Sequence, residues 1–380
     1  MAKNSMYRRR ILVLALLLSA SLLTGIFSAN AAGDAQDGYP KTITDSAGRE
    51  ITLSTPVQRV IVLNTDAAEA VKVLGSSDLI LGLVEGIKDS YEFQDMKNRT
   101  SVGTWTEIDY EKIGEIAHNG SSGNISDIIV LGYVYPGKPN GVEAVSKNLA
   151  SFGGISALGL DFYKEENLSR EITLLGSILG KDKEASEVLD WHDKRVAEVE
   201  AAVSGLDHPR VFVEGSSKGL GDITTFGTQS GSAMLLQKAG CDNVMQKDDA
   251  YPKVDWEWVV SQNPDVIIKT DYLKSSDGLP GWSLSSADNT KALEEKRNDI
   301  LSRPGAQNIS AVKNNRVYVV SAQTLFGLDS VAGLQRLAKI LHPQINLHPE
   351  EAYKEYLQFM GLEDQKGRTF VYPEIAEGQS

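Results

Sequence analysis

The chain has 380 residues, of which 41% are apolar and 23% charged, and 51 acidic against 38 basic side chains give a net charge of −13. That length and apolar content support a large core and more than one domain. The acidic balance argues against nucleic acid as a partner, because a polyanion is met by clustered Lys and Arg. The one dense basic run is Arg8-Arg9-Arg10. MAKNSMYRRR is a positive n-region, ILVLALLLSASLLTGIF an apolar h-region, and Ala29-Asn30-Ala31 a small-residue cleavage site, so residues 1–31 are expected to be a secretory signal peptide. An uncleaved N-terminal membrane anchor is the alternative. No cysteine lies near the site to carry a lipid. The one cysteine, Cys241 in LLQKAGCDNV, excludes an intramolecular disulfide and reads as a buried thiol. Five N-x-[ST] sequons, at Asn98, Asn119, Asn124, Asn167 and Asn308, suit an exported chain.

From residue 40, TITDSAGREITLST predicts a two-stranded ribbon turning at Ser46-Ala47-Gly48. RVIVLN (59–64) is a continuous β-branched run, the pattern of a strand buried on both faces. DAAEAVKVLG is a short helix ended by Gly75, LILGLV (79–84) a strand, and DYEKIGEIA a helix capped by Asp109. SDIIVLG (126–132), a helix near 141–151 and ISALGL (155–160) continue the alternation, which predicts a parallel α/β lobe over 40–165. Residues 166–206 then carry no strand signal. Gly180 divides two helices, and Ala185, Val188, Leu189, His192, Val196, Val199 and Val203 give the second a long apolar stripe. RVFVEG (210–215), the helix SGSAMLLQKAG, the helix start DWEWVVSQ, the strand DVIIKT, helices near 290–302 and 306–313, the strand NRVYVV, the helix DSVAGLQRLAKILHP and one near 350–360 predict a second α/β lobe over 207–363. Residues 364–380 read as a tail. The fold class is therefore α/β, with two parallel-sheet lobes and a long helix between them. DYEKIGEIA…ISDIIVLG in the first lobe is echoed by DWEWVVSQNPDVIIKT in the second.

Catalytic and metal signatures are sparse. His118, His192, His208, His342 and His348 show no i, i+4 pairing and none adjoins the cysteine, so there is no zinc motif. GTQSGS (227–232) is not a nucleophile elbow, and GSSKGLGD (215–222) lacks P-loop and dinucleotide spacing. Both follow strands, where open α/β sheets contact ligands. Aromatic side chains are few, yet Tyr91, Trp105, Tyr133, Tyr135, Phe226, Tyr251, Trp282 and Phe326 all fall in predicted loops. With Asn64 and Lys218 they form the expected ligand-contact set, suited to a large, flat, partly apolar molecule.

Several of these stretches together resemble class III substrate-binding proteins of ABC importers, which take up ferric siderophores, haem and cobalamin. The likeness is carried by TITDSAGREITLSTPVQRVIVLN, SGSAMLLQKAGCDNV, VDWEWVVSQNPDVII, ISAVKNNRVYVV and GLQRLAKILHP, in that order. The resemblance implies two lobes on a rigid backbone helix, no enzymatic activity, no intrinsic cofactor and, as ligand, a ferric chelate, haem or corrinoid. It implies an exported, monomeric carrier whose partner is a permease dimer with its cytoplasmic ATPase. It also implies that one glutamate per lobe docks to that dimer, here Glu111 in DYEKI and Glu257 in DWEWV. The sequence departs from the family at Ser126-Asp127, where Pro-Asp is usual, at the insertion HNGSSGN and in the long polar loop 271–290. A carrier of free zinc or manganese and a secreted hydrolase are the alternatives.

Overall fold

The computed structural model describes residues 38–119, 125–271, 288–364 and 366–375. The expected signal peptide, the sequon at Asn124 and Trp282 lie outside the described residues. Among the described residues no helix is long and apolar enough to cross a membrane.

Strands β1 (Lys41–Thr44) and β2 (Glu50–Leu53) pair antiparallel. The turn between them explains the D-x-x-G-R signature. Asp45 accepts the backbone N–H groups of Ala47, Arg49 and Gly159 and pairs with the Arg49 guanidinium at 2.6 Å. Arg49 in turn donates to the Ala157 carbonyl, which pins the ribbon to the edge of the first sheet. Gly48 supplies the positive φ of +74° that this turn requires.

The first lobe follows as β3 (Arg59–Val62), α1 (Thr65–Val73), β4 (Ile80–Leu83), β5 (Thr100–Ser101), α2 (Tyr110–His118), β6 (Ile128–Gly132), α3 (Val142–Leu149) and β7 (Ser156–Gly159). Its five strands are all parallel, in the order β5-β4-β3-β6-β7. The direction of winding reverses between β3 and β6, and in open α/β sheets a ligand crevice forms beyond the carboxyl ends at such a reversal.

Helices α4 (Glu165–Leu179) and α5 (Asp182–Val203) come next, separated by Gly180 in the left-handed conformation. The 22-residue α5 packs against α4 on one side and against a C-terminal helix on the other.

The second lobe comprises β8 (Arg210–Ser217), β9 (Ile223–Thr225), α6 (Ala233–Lys238), β10 (Asp242–Asn243), β11 (Lys253–Val254), α7 (Trp256–Gln262), β12 (Val266–Asp271), α8 (Lys291–Ser302), α9 (Ser310–Lys313), β13 (Val317–Ser321), α10 (Ser330–Leu341), α11 (Pro349–Phe359) and β14 (Val371–Tyr372). Its sheet runs β11-β9-β8-β12-β13-β14, with β10 beside β8. The central strands β10, β8, β12 and β13 are parallel, while β9 and β14 run antiparallel to them and β11 pairs antiparallel with β9. The strand β14 comes from residues that read as a tail, and Phe370 beside it is buried.

Alternation along the central strands divides the core. Val211, Val213, Val266 and Ile268 face a cluster continuous with the first lobe through α5, α10 and α11. Phe212, Ile267 and Val317 face a separate cluster with Trp256, Val259 and Ile300.

Candidate ligand-binding cleft

The carboxyl ends of β3, β6 and β7 place three elements side by side in the first lobe. The end of β3 leads into α1, whose N-cap Asn64 accepts the Ala67 N–H at 2.8 Å. Asp66 follows in the first helical turn, favoured there by the helix dipole. Tyr133 follows β6 and donates its hydroxyl to Asp66 Oδ2. Tyr135 stacks on Tyr133 with ring centroids 4.5 Å apart, and Tyr163, four residues beyond β7, meets Tyr133 edge-on at 5.5 Å. Burial first, then the Asp66 carboxylate, pushes the pKa values of Tyr133 and Tyr135 far above that of an ordinary phenol. Burial does the same to Tyr163 and, less strongly, to Tyr251.

Tyr163, Lys164 and Glu166 line a cavity whose opposite wall is Thr228–Gly231, Ala233, Met234, Ala250 and Tyr251 of the second lobe. The Gly-rich loop 227–232, which follows β9, therefore faces the first lobe. Among the described residues lining this cavity Lys164 is the one cation, and it is already paired with Asp161 at 2.6 Å. Asp161 is itself buried and also accepts the Val134 N–H. Phe226 is buried edge-on beneath Tyr251, at 5.8 Å.

The structure thus brings Tyr133, Tyr135, Phe226 and Tyr251 together from the expected ligand-contact set. Trp105 and Tyr251 are 53% and 49% exposed, and each lies six residues before the first-turn glutamate of its lobe, Glu111 or Glu257. Asn64 serves as a helix cap and is buried. Tyr91 lies elsewhere, donating to the Glu363 carbonyl with Arg368 over its ring at 4.9 Å. Lys218 sits on the β8–β9 hairpin, where its N–H closes the turn onto Asp222. Phe326 is half-buried against the main core. Asp66, Asp161, Tyr163 and Lys164 were not singled out from the sequence. The signal available was DFYKEE, an aromatic and charged run directly after a strand.

Glu111 and Glu257 are both exposed in the first turn of a helix. Asp109 caps α2 by accepting the Lys112 N–H, and Asp255 caps α7 by accepting the Trp258 N–H. Trp256 anchors its helix start: its indole N–H donates to the Pro304 carbonyl at 2.8 Å, and the Arg303 guanidinium lies 4.8 Å from its ring. Trp258 packs edge-on to Phe212. Cys241 is buried beside the Leu236 carbonyl, and burial pushes its thiol up to about 12. Among the described residues no group of three His, Cys, Asp or Glu could hold a metal ion.

Residues 141–324 match the model of the periplasmic binding protein family. The chain carries a periplasmic binding protein domain. A curated relative, an uncharacterized ABC transporter substrate-binding lipoprotein of Bacillus subtilis, is 24% identical over 87% of this chain and 96% of its own. A cobalamin-binding protein of Halobacterium salinarum is 23% identical over 63% of this chain and 61% of its own. Among solved structures, a TroA-like periplasmic binding protein of Veillonella parvula superposes with a TM-score of 0.68 at 20% identity, covering 87% of this chain and 98% of that one. These neighbours have the same two-lobed fold. Proteins of that family are solute-binding carriers, and the B. subtilis relative is named as the substrate-binding part of an ABC transporter.

Proposed function

We propose that this binding protein captures a corrinoid and presents it to its permease. The supporting observation is the chemistry of the cleft: a tyrosine cluster spanning both lobes, backed by buried Asp66 and Asp161, with its lining cation Lys164 already neutralised. Aromatic faces suit a large flat macrocycle. The negative backing disfavours a trianionic ferric catecholate, which calls for unpaired Arg and Lys. Ligation of haem iron by a phenolate is disfavoured too, because burial and Asp66 hold the cleft tyrosines in their protonated form. The cobalamin-binding relative of H. salinarum agrees with this reading.

Delivery is proposed to run through Glu111 and Glu257, rigidly presented carboxylates, one per lobe, on capped helix starts. The exposed aromatic six residues before each glutamate puts ligand contact and permease contact on the same connection in both lobes. The ligand assignment is tested by native mass spectrometry and tryptophan quenching of the mature chain. The probes are cyanocobalamin, dicyanocobinamide, hemin, a ferric trihydroxamate and a ferric tricatecholate. Corrinoids are expected to bind tightest, and a clear preference for hemin or the catecholate overturns the assignment.

A further inference from the structure

Tyr133 and Asp66 raise a question of hydrogen-bond polarity. A phenol has one proton to donate and lone pairs to accept with. The Tyr133 proton is committed to Asp66 Oδ2. Asp66 is only 9% exposed, in the first turn of a helix capped by Asn64, and Gly327 packs close to its other oxygen. Behind the same tyrosines, Asp161 is buried with its two oxygens spent on the Val134 N–H and the Lys164 ammonium. Glu171, buried in its turn, accepts the N–H groups of Asp161 and Phe162. Three carboxylates therefore stand behind the cluster, and the Tyr133 hydroxyl, its proton committed, has only lone pairs left to offer.

We infer that Asp66 is a positioning residue which fixes Tyr133 as a hydrogen-bond acceptor, so that the cleft selects ligands rimmed by N–H donors, such as carboxamides, and rejects the same ligands rimmed by carboxylates. This deepens the corrinoid assignment and rests on it for the first choice of probe. The physical reason is asymmetry. A rim amide meets a lone pair, whereas a rim carboxylate meets a lone pair with a buried negative charge behind it and finds no proton.

The test compares matched pairs that differ only at the rim: dicyanocobinamide against dicyanocobyrinic acid, hemin bis-amide against hemin, and a ferric trihydroxamate with a pendant ammonium against its N-succinylated form. Dissociation constants are measured by quenching on folded protein, with circular dichroism as the fold check. In the wild type the donor-rimmed member of each bound pair is expected to win by about tenfold or more, the size of one rim hydrogen bond gained or opposed. Asp66→Ala releases the phenol proton and is expected to bring the ratio close to one. Asp66→Asn, whose side-chain carbonyl can still take that proton, is expected to restore much of it, a rescue that a merely structural role would not give. Tyr133→Phe weakens the donor-rimmed member without improving the carboxylate.

An unchanged ratio in Asp66→Ala, or no rescue by Asp66→Asn, overturns the inference. Should Asp66→Ala fail to fold, Tyr133→Phe decides: unaltered binding of the donor-rimmed member overturns it equally. A Asp66-dependent ratio seen only with the hydroxamate or haem pair removes the corrinoid assignment and leaves the inference standing. A wild type that binds none of the six overturns both.

Discussion

Glu92 is fully buried, at 0% exposure, in the 3-10 segment Tyr91–Met96 of the first lobe, and it accepts the Tyr353 hydroxyl from α11 at 2.9 Å. Burial pushes its carboxyl up to about 8, against the lowering influence of its backbone, Tyr353, Arg368 and Lys72. Between about pH 4.5 and 8 the folded protein therefore holds a proton that the unfolded chain has released. Stability falls as pH rises through that window, by about 1.4 kcal/mol per pH unit for one proton, and levels off above it. From pH 5.5 to 7.5 Glu92 alone accounts for about 3 kcal/mol. Glu92→Gln keeps an acceptor for Tyr353 and has no proton to lose. The remaining buried acids titrate in both proteins and cancel from the comparison. Urea unfolding of the mature chain, followed by circular dichroism at the two pH values, measures the difference. The stability of Glu92→Gln relative to wild type is expected to rise by about 3 kcal/mol between pH 5.5 and 7.5. A relative stability that does not change with pH refutes the reasoning, because it means Glu92 is already ionised in the folded protein at pH 5.5.

Gly327 has a φ of +72°, and a Cβ there would lie 2.4 Å from Glu69 Oε2. Gly327→Ala combines left-handed strain with that collision and is expected to lower stability by about 2 kcal/mol or more, read as a fall in Tm. Glu111→Ala with Glu257→Ala is expected to abolish ligand-stimulated ATPase activity of the reconstituted importer while ligand affinity stays within about twofold, since both side chains are exposed and away from the cavity lining. Lost ligand affinity in that double variant removes the docking role.

Much of the framework could be read from local pattern, and the structure gives the reason. RV and x-Asp recur in both lobes because the strands they open lie side by side at the centre of each sheet. Arg59 on β3 pairs with Asp127 just before β6, and the Arg210 N–H at the start of β8 is accepted by Asp265 before β12. The substitution of Ser126 for proline leaves this pairing intact, because the contact is made by Asp127. The D-x-x-G-R turn is legible for a similar reason, since Asp45 and Arg49 satisfy each other within five residues. The marginal strands β9, β11 and β14 are two or three residues long, too short for a period of two to register. The cleft was legible only as a set of aromatics after strands. Its carboxylate backing was not, because Asp66, Asp161 and Glu171 meet through tertiary contacts that no spacing records, and an acid in a helical stretch such as DAAEAVK reads as solvated.

The same buried acids bear on how far the lobes can move. The lobes share more than α5. Glu165 on α4, half-buried yet held down to about 2 by His192 and Lys238, ties α5 and α6 together. Glu355 on α11 accepts from Trp191 and Arg195 of α5. On the far side of the cleft floor, Glu69 of α1 accepts the N–H groups of Leu328 and Asp329 at the start of α10, and Glu92 accepts Tyr353. Burial, then the repulsion of neighbouring acids, raises the pKa values of Glu69 and Asp329. Separating the lobes there would wet three carboxyls whose protonated forms burial favours, and exposure would favour their ionised forms at neutral pH. Ionised, they could not return to the same low-dielectric contact without taking up protons again. The floor is therefore expected to be the stiff part of the molecule, with ligand-linked movement in the cleft loops around Tyr163, the 227–232 turn and Tyr251. Under the proposed docking role, occupancy is passed along the connections that run from Trp105 to Glu111 and from Tyr251 to Glu257.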